Sequence, residues 1–258
     1  MSLEEIKKNE PAAVLRFGSK RQQHTENAPQ IKRQFVNFTF YKARPEWLSL
    51  DEAAKQNAIT EFAAVCEEAH AKAGLIIHSY SLAGLRRNAD FMIWRIGYDL
   101  DAFQEMTVNL KKTVLGRYLE VTESFLSMTK RSMYIDKYNP EHDEDRLHVI
   151  PGKGKYLFVY PFVKTRDWYM RSPEERQTMM DEHIRVGMKY QSVRLHTTYS
   201  FGLDDQEFVV AFETDEPQDF LDLVEELRFT SASRYTLRDT PMYSCRQRTL
   251  TECLDALG

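Results

Sequence analysis

One pattern occurs twice in this chain, and it limits the possible folds more than any composition does. FVNFTFYKARPEWLSLDEAAKQNAITEF, near the start, and YLFVYPFVKTRDWYMRSPEERQTMMDEH, past the middle, each run from an apolar or alternating strand through a lysine, an arginine and a tryptophan into a capping box. The boxes pair Ser49 with Glu52 and Ser172 with Glu175; such a pair marks a helix start because each residue satisfies a backbone N–H that the helix leaves unpaired. Further on, HSYSLAGLRRNADFMIWRIGYDLDAF matches TTYSFGLDDQEFVVAFETDEPQDF, with 12 residues from Phe91 to Phe103 and 12 from Phe208 to Phe220. Strand, helix, strand, strand, helix is the order of a ferredoxin-like unit. The expected fold is therefore α+β: two tandem ferredoxin-like repeats packed as a β-barrel-like core with outer helices. The repeats are expected at 33–110 and 154–258. A polar arm (1–32) precedes them, and a connecting helix and charged loop (111–153, containing YNPEHDEDR and PGKGK) joins them.

Composition removes several functions. A net charge of −4 supplies no excess of cations to grip a phosphate backbone, so nucleic acid is not an expected partner. Cys66, Cys245 and Cys253 are odd in number and lack metal-ligand spacing, which suits a reducing compartment. The opening MSLEEIKKNEPAAVLRF has no apolar core of a secretory signal. No later stretch reaches the roughly 18 apolar residues of a membrane span. The expectation is a soluble, cytoplasmic protein.

A duplicated fold with one active site should show that site where the copies differ. Four residues before the strand lysine stand Phe38 in the first copy and Tyr160 in the second. Eleven residues after the capping serine stand Thr60 and His183; aligning on the tryptophan gives Phe62 instead. Either way only the second copy has the imidazole. His183 shares a helical stripe with Met179, Val186, Gly187 and Tyr190, so it faces the interior or a cavity, as a satisfied core histidine or as a ligand. Gly187, one turn on, removes a side chain where a flat macrocycle would lie. Glu213 is a candidate acceptor for the far ring nitrogen of a ligating histidine, or a strand-end surface carboxylate. Tyr160 and Lys164 fall on one strand face, where the cation would hold a carboxylate against an oxidisable ring; the alternatives are a core aromatic and a solvated edge lysine.

The segment YLFVYPFVKTRDWYMRSPEERQTMMDEH, with GLDDQEFVVAFETDEPQDF after it, resembles the chlorite dismutase-like haem protein family, most closely its coproheme decarboxylase branch. The resemblance covers about 33–245 and implies that His183 is the proximal iron ligand and Tyr160 the redox-active catalytic residue. It implies that Lys164 contacts a reacting propionate, that Trp168 packs near the proximal side, and that Arg146 and Tyr134 bind propionates. Ser231 or Ser233 is implied for another propionate. His148 and His196 are the candidate distal acid or base; chlorite-degrading members have an arginine thirteen residues beyond the proximal histidine, where this chain has His196, and an aliphatic residue in place of Tyr160.

What the resemblance implies about activity is conversion of coproheme III to haem b, two propionates losing carbon dioxide with hydrogen peroxide as oxidant. It also implies a homopentamer and transient contact with a coproporphyrin ferrochelatase. The rivals are a chlorite dismutase or peroxidase-type enzyme, and a haem carrier or sensor without turnover.

Overall fold

The computed structural model describes residues 32–132, 134 and 148–258. Its elements in chain order are β1 (Phe35–Ala43), α1 (Glu52–Ala73), β2 (Ile76–Ser81), β3 (Phe91–Gly97), α2 (Leu100–Lys112), α3 (Val114–Tyr118) and β4 (Leu119–Met128). They continue as β5 (Tyr156–Lys164), α4 (Arg166–Met170), α5 (Pro173–Gly187), β6 (Arg194–Tyr199), β7 (Phe208–Thr214), α6 (Pro217–Arg228), β8 (Thr236–Arg238), β9 (Tyr243–Gln247) and α7 (Leu250–Asp255).

Each half forms a four-stranded antiparallel sheet, ordered β4-β1-β3-β2 and β6-β7-β5-β9. The sheets join at two short seams: Met128 opposite Tyr199, and Tyr80 and Ser81 opposite Gln247 and Arg246. The result is a closed barrel, as expected, with β8 added along the end of β5. Closure leaves few sheet edges unpaired. Phe38, Phe40, Trp94, Leu157, Val159, Val209, Ala211 and Tyr243 fill the interior. The helices cover the outer face, where Tyr41, Phe62, Phe91, Phe103 and Met106 pack in the first repeat.

Three expectations are corrected. First, helix α1 is capped by Asp51, whose side chain accepts from Ala54 N at 2.8 Å; Ser49 ends the preceding 3-10 turn, so the Ser49–Glu52 box does not form. The carboxylate is the stronger acceptor and sits two residues closer to the helix. By contrast, the Ser172–Glu175 box is present in full. Counted from the true caps, Phe62 is the counterpart of His183.

Second, the connection 111–153 is not only helix and loop: Leu119–Met128 is the fourth strand of the first repeat. A bulge opposite Phe40 and Tyr41 shifts its register, so Phe125 points inward while Leu119 packs outward. The bulge breaks the period of two by which the strand would have been read.

Third, Phe38 is not the counterpart of Tyr160. Tyr41 pairs with Phe91 and Phe162 with Phe208, the first residues of the two equivalent strands, which places Tyr160 opposite Thr39 in the repeat. An offset of one residue reverses the face: Phe38 points into the barrel and Tyr160 out toward the helices.

Candidate functional site

Helix α5 starts at the Ser172 box with Pro173 in its first turn and Glu174 and Glu175 beside the positive end of its dipole. Its apolar stripe is unlike that of α1. Where α1 buries Ala58, Ile59, Phe62 and Cys66, no residue of α5 is fully buried. A Cβ built on Gly187 meets nothing within 4 Å. His183 projects from this stripe, with Nδ1 3.4 Å from Thr230 Oγ1. That hydroxyl donates to Leu227 O at 2.8 Å, so its lone pair faces the ring; Nδ1 then carries the hydrogen and Nε2 is left as the free donor atom. Burial, with the Lys164 ammonium nearby, lowers the His183 pKa to about 4, against a smaller opposing pull from Glu182. The ring is neutral at physiological pH, as iron ligation requires.

Tyr160 lies on the outer face of β5, 7% exposed, stacked on Phe212 with centroids 5.9 Å apart. Burial pushes its phenol up, more than the Arg228 guanidinium lowers it, so the ring keeps its proton. Lys164 is buried on the same face. Its Nζ donates to Ala232 O at 2.8 Å and sits 4.6 Å from the centre of the Trp168 ring. Desolvation lowers its pKa to about 8, despite the attraction of Glu207. Trp168 packs against Tyr235 and Tyr134, and Tyr134 meets α5 through its hydroxyl, 3.4 Å from Arg176 Nη1, and its carbonyl, bonded by Gln177 Nε2. Ser233 directs its hydroxyl to the carbonyls of Arg228 and Thr230 at the end of α6, whereas Ser231 is exposed beside Glu182 of α5. The structure thus brings His183, Tyr160, Lys164, Trp168, Tyr134 and Ser231 to the layer between the second sheet and its helices.

Two candidates lie elsewhere. His196 pairs with Ala211 and Glu213 with Leu157, residues of the barrel interior, so both point away from the Tyr160 face. Glu213 is 1% exposed and bonds His196, Tyr80, Gly152 N and Lys153 N. It is neither a partner of His183 nor a surface carboxylate. On β6 the outward positions opposite Phe212 and Val210 are Leu195 and Thr197. The count of thirteen from His183 therefore ends on the wrong side of the sheet. His148 is half-buried at the head of the segment leading into β5. Arg146 lies outside the described residues. Sequence reasoning passed over Thr230 and Arg176; the latter precedes His183 by seven residues, two helical turns, and the stripe itself would have found it. Two grooves on the described surface, of about 310 and 820 Å³, are lined by neither His183 nor Tyr160.

The first repeat shows what the same layer looks like when filled. Arg95 occupies it, donating to Asn37, Thr39, Thr107 and the Phe103 carbonyl, while Phe62 covers the position of the imidazole.

Comparison with known proteins places the chain. The chlorite dismutase family model matches residues 55–248. The chain belongs to that family. Within it, the coproheme decarboxylase of Mycolicibacterium smegmatis is 31% identical over 214 residues, covering 82% of this chain and 88% of its own. Among solved structures, a variant of the chlorite dismutase of Candidatus Nitrospira defluvii superposes with a TM-score of 0.79 at 26% identity, over 87% of this chain and 94% of the other. A heme-binding protein of Thermus thermophilus gives 0.77 at 26% identity, over 86% and 94%. The residues fit an iron porphyrin: a neutral imidazole whose Nε2 has no partner among the described residues, a half-exposed apolar stripe, open space at Gly187 and the Lys164 ammonium against Trp168. No helix among the described residues is long and apolar enough to cross a membrane.

Proposed function

We propose that this chain is a coproheme decarboxylase, which removes carbon dioxide from two propionates of iron coproporphyrin III with hydrogen peroxide as oxidant and releases haem b. The observation that carries the reading is Tyr160 and Lys164 on one face of β5, beneath a helix that presents His183 neutral. A phenol that keeps its proton, on the same sheet face as a buried cation, suits oxidation of a carboxylate-bearing side chain. The absence of a cationic side chain at Leu195 and Thr197, the outward positions of β6, favours this reading over chlorite decomposition.

When bound, the iron porphyrin supplies both the redox centre and the reacting carboxylates. His183 would hold the iron through Nε2, with Thr230 orienting the ring at Nδ1. Trp168 is a wall beside Lys164, and Lys164 attracts a carboxylate that would otherwise point to water. Tyr160 gives up its phenolic hydrogen and regains one from the β-carbon of a propionate. Per propionate, two electrons leave the side chain, one peroxide and one proton become two waters, and carbon dioxide departs to leave a vinyl group. Ser231, Tyr134 and Arg146 are further propionate contacts in this reading, and His148 remains the candidate distal base. A homopentameric, cytoplasmic enzyme that receives coproheme from a ferrochelatase completes it.

The test is to load apoprotein with ferric coproheme III, add stoichiometric peroxide, and separate the products by chromatography with mass detection. Wild type should give two successive losses of carbon dioxide plus two hydrogens; Tyr160→Phe should bind and not convert. Oxygen evolution from chlorite without decarboxylation would instead make it a chlorite dismutase, and binding without either reaction a carrier.

A further inference from the structure

Arg176 is the one cation of α5 that shares the His183 stripe. Two turns at about 1.5 Å per residue place it roughly 10 Å along the axis from His183, about the span from the centre of a porphyrin to a carboxylate on its edge. A macrocycle ligated by a side chain of α5 lies broadly along that helix, so its rim runs toward Arg176.

The guanidinium is only partly satisfied. Nη1 reaches the Tyr134 hydroxyl at 3.4 Å, a long bond, while Nε is shielded from water and has no partner. Neither Nε nor Nη2 makes a hydrogen bond or ion pair among the described residues. These two N–H groups form the edge of a guanidinium that grips a carboxylate side-on with two parallel bonds. A buried donor without an acceptor costs stability, and proteins keep such a group where a ligand completes it. The surroundings agree: Tyr134 links Arg176 to Trp168, and Trp168 carries Lys164 on its ring face. Two cations, Arg176 and Lys164, thus flank one aromatic pair.

We infer that Arg176, with Tyr134, forms a carboxylate clamp that takes a rim propionate of the porphyrin through the Nε and Nη2 edge. The inference rests on the porphyrin reading above and adds a residue that positions the macrocycle rather than one that reacts. Tyr134 orients the guanidinium through Nη1, and Gln177, which bonds the Tyr134 carbonyl, fixes the tyrosine to the same helix.

The experiment is an absorbance titration of apoprotein with iron coproporphyrin III and with its tetramethyl ester, for wild type, Arg176→Gln and Arg176→Lys, with thermal melting of each apoprotein. Arg176→Gln should weaken the free acid about tenfold or more and leave the ester within about twofold, since only the acid offers a charged partner. Arg176→Lys should recover part of the loss, and neither change should lower the apoprotein melting temperature by more than about 2 °C, because the Nε and Nη2 edge has no partner among the described residues and only the long Nη1 bond to Tyr134 is given up. Equal binding of the acid by wild type and Arg176→Gln would overturn the clamp alone. An equal loss with acid and ester would also overturn it, by showing a packing effect. Failure of wild type to bind either compound would overturn the porphyrin reading and the clamp with it.

Discussion

His196 and Glu213 meet inside the barrel, Nε2 to Oε2 at 2.9 Å, on the sheet face opposite Tyr160. Glu213 sits where repeats and connection converge: Tyr80 comes from the first repeat, His196 from the second, and Gly152 and Lys153 from the segment between them. Burial by itself would raise the carboxyl, but the histidine and the two backbone N–H groups hold it below the usual carboxylate range.

His196→Leu should therefore act on stability. Removing one partner of a buried carboxylate is expected to cost about 2–4 kcal/mol in urea unfolding. Decarboxylation per folded, loaded molecule should stay within about twofold of wild type. A tenfold loss of turnover at unchanged stability would return His196 to the site.

The depressed pKa of His183 fixes a pH dependence. Between 6.5 and about 4 the unfolded chain binds a proton that the folded chain does not, so apoprotein stability is fully present above pH 6.5 and declines as pH falls through that window. Relative to His183→Gln, wild type should lose about 1–3 kcal/mol more between pH 7 and 4 in denaturant melts. Parallel curves would show the ring titrating normally.

Lys164 predicts proton uptake on binding. Its pKa of about 8 lies below the ordinary 10.5 because burial disfavours the charge, and a bound carboxylate reverses that penalty. At a pH near 8.5, porphyrin binding should take up a fraction of a proton, measured calorimetrically in two buffers of different ionisation enthalpy, and Lys164→Met should abolish it.

Gly187 separates folding from binding. Nothing lies within 4 Å of its Cβ position, so Gly187→Ala should be tolerated and gain up to about 1 kcal/mol of helix propensity. Gly187→Leu should leave the apoprotein melt near wild type yet weaken porphyrin binding at least tenfold. Unimpaired binding would show that the macrocycle does not approach this turn.

The repeat made most of the fold legible. Phe91 and Phe208 open equivalent strands, Phe103 and Phe220 occupy equivalent helices, and the barrel follows from pairing the two sheets. His183 and Tyr160 were legible because they differ between the copies, and Lys164 because it is the strand lysine both copies share. Facing was not: a cap displaced from Ser49 to Asp51 and a bulge in β4 each shift a count by a residue or two, and in a strand one residue exchanges inside for outside. His196 and Glu213 face the interior, which neither a count from His183 nor the apolar run around Glu213 could tell. The Nδ1 partner, Thr230, lies 47 residues from His183 and had no local signal.

Helix α5 is fixed firmly at its start, by a full capping box, a proline and paired acids, and carries no fully buried side chain, Val186 being its half-buried contact with the Tyr160 cluster. The scaffold that presents the imidazole is thus assembled before any ligand arrives, and little conformational entropy remains to be lost on association. For an enzyme whose porphyrin arrives as substrate and leaves as product, that is preorganisation without permanence: the helix has the same shape at the start and at the end of each cycle.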